Sequence, residues 1–356
     1  MATYLIRRLL LVIPTLLGAT ALIFFVMALA PVSITDVLLS REGNLTPGER
    51  AAREAYLNKR YGLDKPPYIQ YLHWLNAISP IGKKDAGTGF PASASFGFKS
   101  PDLGNSFKQA RAVGPIIAEA LPITLLLQAI SIPLTFVIAI TSGIWAAKHR
   151  GKMQDVTIGT LLVGLWSAPV IWIGVLLIGY FANVHYFKWF PAANLHEMSA
   201  PSMRYLPSSQ GRGFLFDLLW HLVLPTICLT YGSFAFYSKL TRTALLDTLG
   251  SDFVRTARAK GLSERVVLYR HALRNSLIPL ITVFANVLPA LITGSIIVET
   301  IFSIPGMGRL VVESLTAQDR ELFLSVATIT LLLQLVGYLI SDIAYVVADP
   351  RVSYES

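Results

Sequence analysis

Long apolar runs separated by polar connections set the pattern of this chain. Six stretches free of Asp, Glu, Lys and Arg stand out, at residues 9–30, 121–147, 156–184, 218–238, 276–298 and 322–341. Each reaches the roughly 20 residues that a helix needs to cross a hydrocarbon layer about 30 Å thick. The runs therefore predict membrane helices. Pro122, Pro133, Pro169, Pro225 and Pro289 fall inside them and predict kinks, because proline removes a helix hydrogen bond and crowds the preceding turn.

The connections carry patterns of their own. In residues 47–75, Ala51, Ala55, Leu57, Tyr61, Ile69, Leu72 and Leu75 recur among charges and predict short amphipathic helices. Residues 76–101 contain eleven Gly, Pro and Ser among 26 and predict an irregular loop, as does 195–213. Between the fourth and fifth runs, Leu246, Leu249, Phe253 and Ala257 recur at helical spacing, with Asp252, Arg255 and Arg258 beside them. That spacing predicts one short helix with an apolar face. Gly261 is placed to end it in the left-handed conformation, and Ser263 to cap a second helix. The second helix would present Val266, Arg270, Leu273 and Leu277 on one side and run into the fifth span. The result is an elbow joined to the membrane helices. Periodicity alone also fits a basic amphipathic segment lying on anionic headgroups.

Charge gives the runs a direction. Arg7 and Arg8 precede the first, and Lys148, Arg150 and Lys152 separate the second from the third. Eight Lys and Arg against three Asp and Glu lie between the fourth and fifth. Positive flanks resist translocation, so these three places share the cytoplasmic side and both termini are inside. Residues 31–117, with eleven Lys/Arg and seven Asp/Glu, form a segment long enough to escape that rule. The composition, 53% hydrophobic and 14% charged, agrees with a membrane protein. Arg7, Arg8 and the small residues Ala28 and Ala30 also resemble a secretory signal, but 22 uncharged residues exceed the usual core of about 7–15. The first run is read as a retained span.

Candidate chemistry is sparse. A single cysteine, Cys228, excludes an intramolecular disulfide and a thiolate metal cluster. No phosphate-binding loop, zinc-protease motif or nucleophile elbow occurs, so this chain does not cradle nucleotide phosphates in the P-loop manner. His221, near the outer end of the fourth run, either lines a pathway or acts as an interfacial hydrogen-bonder. Glu299 and Asp342 end the fifth and sixth runs, where carboxylates are tolerated. Ile304, Pro305, Gly306, Met307 and Gly308 predict a tight exterior turn, either a gate element or a plain connector. A stand-alone secondary transporter or channel is the alternative class; such proteins place ionisable groups at mid-membrane, and the six runs have none.

Residues 242–275 read RTALLDTLGSDFVRTARAKGLSERVVLYRHALRN. This resembles the cytoplasmic loop of binding-protein-dependent ABC importer permeases, in the dipeptide, oligopeptide and nickel branch. The broad pattern of Glu-Ala-Ala, three residues and Gly falls on Arg255, Thr256, Ala257 and Gly261, with Arg in place of Glu. YLIRRLLLVIPTLLG, RYGLDKPPYIQYLHWL, DLGNSF, LPITLLL, SAPVIWIG, HLVLPTI, VETIFSIPGMGRLV and DPRVSY extend the likeness over nearly the whole chain. The resemblance implies an all-α polytopic membrane protein of six transmembrane helices, with the type I ABC importer permease fold. Residues 1–30 would hold the first helix, 31–116 an extracytoplasmic segment, 117–346 the permease core with its coupling loop at 239–275, and 347–356 a cytoplasmic tail. The chain would be the first permease subunit, a transport subunit and not an enzyme, in a bacterial or archaeal cell membrane. Implied partners are a second homologous permease, two ABC ATPase subunits and an extracytoplasmic solute-binding protein, with no nucleic acid. ATP and Mg would be used by the ATPases and no cofactor held here. Asp252, Phe253, Arg255, Thr256, Ala257, Arg258, Gly261 and Leu262 would form the coupling helix seated in an ATPase groove. Peptides, nickel chelates, opines and peptide antibiotics are all solutes of such permeases.

Overall fold

The computed structural model describes residues 2–29, 46, 48–49, 51–52, 55, 65–83, 96–199, 205, 213–277, 279–280 and 295–348. In chain order the elements are α1 (Ala2–Ala28), α2 (Pro67–Ile78), β1 (Ile81–Lys83), β2 (Phe96–Phe98), α3 (Val113–Lys148), α4 (Met153–Ser167) and α5 (Val170–Leu177). They continue as α6 (Phe214–Leu249), α7 (Asp252–Ala259), α8 (Glu264–Val266), α9 (Leu273–Ser276), α10 (Ile296–Ile301), α11 (Met307–Thr316) and α12 (Arg320–Ala348). Single π-helical turns, Ile178–Ala182 and Val267–Ala272, follow α5 and α8.

Among the described residues, α1, α3, α6 and α12 are long and apolar enough to cross a membrane. The helices α3 and α6 run well past their charge-free cores, to 36 residues each. At 1.5 Å per residue that is about 54 Å, more than a bilayer core requires. Charges such as Glu119 and Lys239 therefore lie within these helices and do not end them. The third run is not one straight span: α4 and the α5 segment are bent by 95°. The predicted kink at Pro169 is thus a full break, while Pro122, Pro133 and Pro225 lie inside continuous helices. A residue before proline is pushed toward extended conformation, which Ala168 adopts at φ −76°, ψ 125°. Its carbonyl accepts a 2.6 Å hydrogen bond from the Tyr231 hydroxyl of α6, so the freed backbone is not left unpaired. Most of the fifth run, including Pro289, lies outside the described residues.

The chain divides into two compact units, residues 1–119 with 310–332 and residues 120–309 with 333–356. In the first, Phe24 of α1, Trp74 of α2 and Leu324 of α12 form a buried cluster edged by Tyr71. The predicted irregular loop at 76–101 is corrected at both ends. Helix α2 reaches Ile78, and β1 pairs antiparallel with β2 in the register Ile81 to Phe98 and Lys83 to Phe96, so the all-α expectation gains a small hairpin. The Asn76 side chain ties β1 to the end of α2, accepting from the Lys83 N–H at 2.9 Å and donating to its carbonyl at 3.2 Å. Composition counted against a core but not against a ladder whose backbone groups satisfy each other. The DLGNSF motif anchors the start of α12. Asp319 caps that helix by accepting from Leu322 N–H at 3.2 Å, and its other oxygen accepts from the Ser106 hydroxyl at 2.6 Å and Lys108 N–H at 3.0 Å.

In the second unit α4 and α6 pack together. Asp155, at the start of α4, takes a two-pronged hydrogen bond from Arg242 of α6 at 2.7 and 2.6 Å and a third from Gly151 N–H at 3.1 Å. Gly143 lets α3 approach α6: a Cβ there would stand 2.6 Å from the Thr241 Cβ and 2.7 Å from the Ser238 carbonyl oxygen.

Candidate functional site

The elbow begins where α6 ends. The single short helix expected over Leu246 to Ala257 is corrected: α6 carries Leu246 and Leu249, the chain turns at Gly250 and Ser251, and α7 starts afresh at Asp252. On α7 the buried residues are Val254 and Ala257, while Phe253 is 44% exposed. Val254 and Ala257 pack with Leu245, Val267, Leu268 and Ala272 and with Ile144 and Ala147 of α3. Ala257 is therefore a core residue of this chain. The outward face carries Asp252, Phe253, Arg255, Thr256 and Arg258. Spacing at i, i+3 and i, i+4 identifies two faces of a helix but not which of them meets the core.

Gly261 ends α7 as expected, with φ +76°. Gly261 N–H bonds the Arg258 carbonyl at 2.9 Å and Leu262 N–H bonds that of Ala257 at 3.4 Å, the paired closure of a Schellman motif. Arg258 then reaches over the turn to Glu264, Nε to Oε1 at 2.8 Å. Ser263 occupies the next cap position without a side-chain bond; its carbonyl accepts from Val267 N–H at 3.0 Å. The second arm is not the plain helix expected. Its π turn adds a residue and rotates the buried face to Val267, Leu268 and Ala272, leaving Arg270 exposed and Leu273 at the edge.

The turn at residues 304–308 is present and is organised by a buried carboxylate. Glu299 on α10 is 1% exposed. Its Oε1 accepts from the Thr124 hydroxyl at 3.0 Å and its Oε2 from Arg309 N–H at 3.0 Å, while Thr124 Oγ accepts from Met307 N–H at 2.8 Å. Carboxylate and hydroxyl together satisfy first-turn donors of α11, where a negative charge is favoured. Pro305 is exposed; Gly306 is buried, and a Cβ there would lie 2.6 Å from both Glu299 Oε2 and Thr124 Oγ1.

His221 is buried and its Nδ1 lies 2.8 Å from the Asp217 carbonyl oxygen. Asp217 Oδ2 accepts from Glu197 N–H at 2.9 Å and stands 3.7 Å from His196 Nδ1, whose ring stacks on Phe214 at 4.1 Å. Burial pushes the His196 imidazole below its ordinary pKa, with the Asp217 charge opposing. These contacts tie residues 196–197 of the preceding connection to the first turn of α6. The elbow residues are brought together. His221 and Gly306 are elsewhere, near one packed cluster that contains Leu222, Leu224, Phe302 and Ile304. Thr124, Asp155, Asp217 and Asp319 are the anchors that the sequence reading passed over. Asp155, Asp217 and Asp319 each carry a local signal, an acid at the start of a helical run, whereas Thr124 carries none. Among the described residues no three His, Cys, Asp or Glu side chains are grouped to hold a metal ion.

Several apolar helices of spanning length make this a multi-pass membrane protein. Residues 139–354 match the family described as binding-protein-dependent transport system inner membrane component, and residues 1–128 match the N-terminal part of such components. The chain belongs to that family. It is 36% identical to the oligopeptide transport system permease protein AppB of Bacillus subtilis, over 99% of this chain and 100% of that one. It is 32% identical to the di/tripeptide transport system permease protein DppB of Pseudomonas aeruginosa and 30% identical to the peptidoglycan transport system permease protein YejB of Agrobacterium fabrum. Those two alignments cover 100% of this chain and 100% and 99% of the relatives. Among solved structures, the MetNI methionine ABC transporter aligns at 17% identity and a TM-score of 0.45, over 65% of this chain and 97% of that one.

Proposed function

We propose that this chain is the first permease subunit of an ATP-driven peptide importer. It would have six spans and the type I importer fold, with both termini cytoplasmic and domains bounded at residues 30, 116 and 346. The end-to-end likeness to relatives named as oligopeptide and di/tripeptide permeases supports this most directly. A second homologous permease completes the pathway, two ATPase subunits use ATP and Mg, and an extracytoplasmic binding protein delivers the solute.

In this reading α7 is the coupling helix. Its inner residues Val254 and Ala257 are clamped in a core that includes α3 and α6, while Asp252, Phe253, Arg255, Thr256 and Arg258 face outward to an ATPase groove. A push on the outward face is carried to two spans because close-packed interiors transmit displacement. Leu262 and Gly261 close the helix and set the angle at which the second arm leaves. Pro305 and Gly306 form the opposite turn, and Asp217, one helical turn before His221, holds residues of the preceding loop.

Phe253→Ala in the complete complex tests the reading. Peptide uptake into vesicles should fall and the ATPases should co-purify poorly, with the second permease still bound. Wild-type uptake in vesicles lacking the ATPases would instead establish a stand-alone transporter.

A further inference from the structure

The break between α4 and α5 opens a cavity of about 400 Å³ against α6. Trp166 and Val170 wall one side, and Tyr231, Ser233, Phe236 and Tyr237 wall the other. Its lining includes no Lys, Arg, Asp, Glu or His. We propose that this cavity is a contact site for the transported solute and takes one uncharged, preferably aromatic, peptide side chain; the inference rests on the peptide-import reading.

Position is the first argument. Cys228, also on the lining, is the midpoint of the charge-free run 218–238, so the cavity extends from mid-span toward the Ser238 end. Ten residues at 1.5 Å put that midpoint about 15 Å from the start of the run, half the thickness of a hydrocarbon core. A helix broken at such depth survives only where its backbone is buried in protein or lines a cavity, and transporters build solute sites at such breaks.

Chemistry is the second. The break is held, not frayed: the Tyr231 hydroxyl pairs with the Ala168 carbonyl. The α6 wall is fixed against α3, where Tyr237 stacks on Phe136 at 5.0 Å and 13°. Aromatic walls with a few hydroxyls, at a volume within the roughly 300–1,000 Å³ of ligand sites, suit a planar apolar group whose peptide unit meets Ser233 and Tyr237. A charged side chain would be desolvated here with no counter-charge, which is costly. A lipid chain would offer the hydroxyls nothing to bond.

Gly232 supplies the test, because it lines the cavity and a Cβ built on it meets no atom within 4 Å. Gly232→Leu should fill the space without displacing protein. With the complete transporter in vesicles and binding protein in excess, the ratio of Ala-Phe-Ala uptake to trialanine uptake should fall roughly tenfold or more, the scale on which pockets discriminate apolar groups. Equal loss for both peptides, or no loss for either, overturns the site. A second measurement replaces Cys228 by Ser, which leaves the chain free of cysteine, and introduces Ser233→Cys. Maleimide labelling at that position should slow several-fold during turnover with Ala-Phe-Ala and not with peptide-free binding protein. Equal protection in both cases means that lipid or a neighbouring subunit occupies the cavity, and the proposal fails. If the wild-type complex takes up neither peptide, the peptide-import reading falls instead, so the two failures are distinguishable.

Discussion

A methyl group is enough to disturb the turn at residues 304–308. Gly306→Ala sets a Cβ 2.6 Å from two oxygens that already hold the first turn of α11, one of them on a buried carboxylate. Overpacking of this kind costs about 1–3 kcal/mol. The expected result is a lower melting temperature of the purified subunit, measured beside Pro305→Ala, which changes an exposed position and should alter it little. His196 supplies a pH dependence. Its folded pKa lies below the ordinary value of about 6.5, so it contributes stability that is present above that value and lost as pH falls through the lower, folded one. Limited proteolysis near Glu197 should quicken on that acid side. His196→Gln should flatten the dependence, and an unchanged acid response in that variant would assign it to another group.

At the scale of the element, the elbow separates two sorts of residue that share one short helix. Val254→Asp would bury an unpaired charge among Leu245, Val267 and Ala272 and should abolish the folded subunit, whereas Phe253→Asp changes an exposed site and should leave stability within about 0.5 kcal/mol. Equal melting temperatures for the two variants would contradict the packing described for α7. Gly261→Val forces a β-branched residue to φ +76° at a cost of about 1–2 kcal/mol, and Gly261→Asn should recover part of that loss. Nothing lies within 4 Å of a Cβ there, so the effect is conformational and not steric. The Asp155 and Arg242 pair joins α4 to α6. Asp155→Ala strands a guanidinium whose side chain is 30% exposed, and the cost, about 1–3 kcal/mol, should shrink in the double variant with Arg242→Leu.

For the whole molecule, six spans with both termini inside predict a cytoplasmic signal from reporters fused after Arg150 and Gly261 and an exterior signal after Gly87 and Arg309. A cytoplasmic Gly87 would overturn the proposed topology. The long apolar runs, the polar connections and the left-handed Gly261 were legible in the chain itself, because hydrocarbon thickness and backbone sterics act on residues one at a time or in short windows. Which side of α7 is buried was not legible. Phe253 and Val254 are both apolar neighbours, and only the position of α3 and the π turn beyond Gly261 turns Val254 inward. Pro169 breaks a helix where Pro122, Pro133 and Pro225 do not, and the carbonyl beside that break, on Ala168, finds its partner 63 positions along the chain, in the hydroxyl of Tyr231. Glu299 with Thr124, Asp155 with Arg242 and Asp319 with Ser106 likewise join residues far apart in the chain. Local pattern determined where helices form. Tertiary structure decided which polar groups are satisfied and by whom, since a buried donor or acceptor needs a partner in space and its sequence neighbours do not name it.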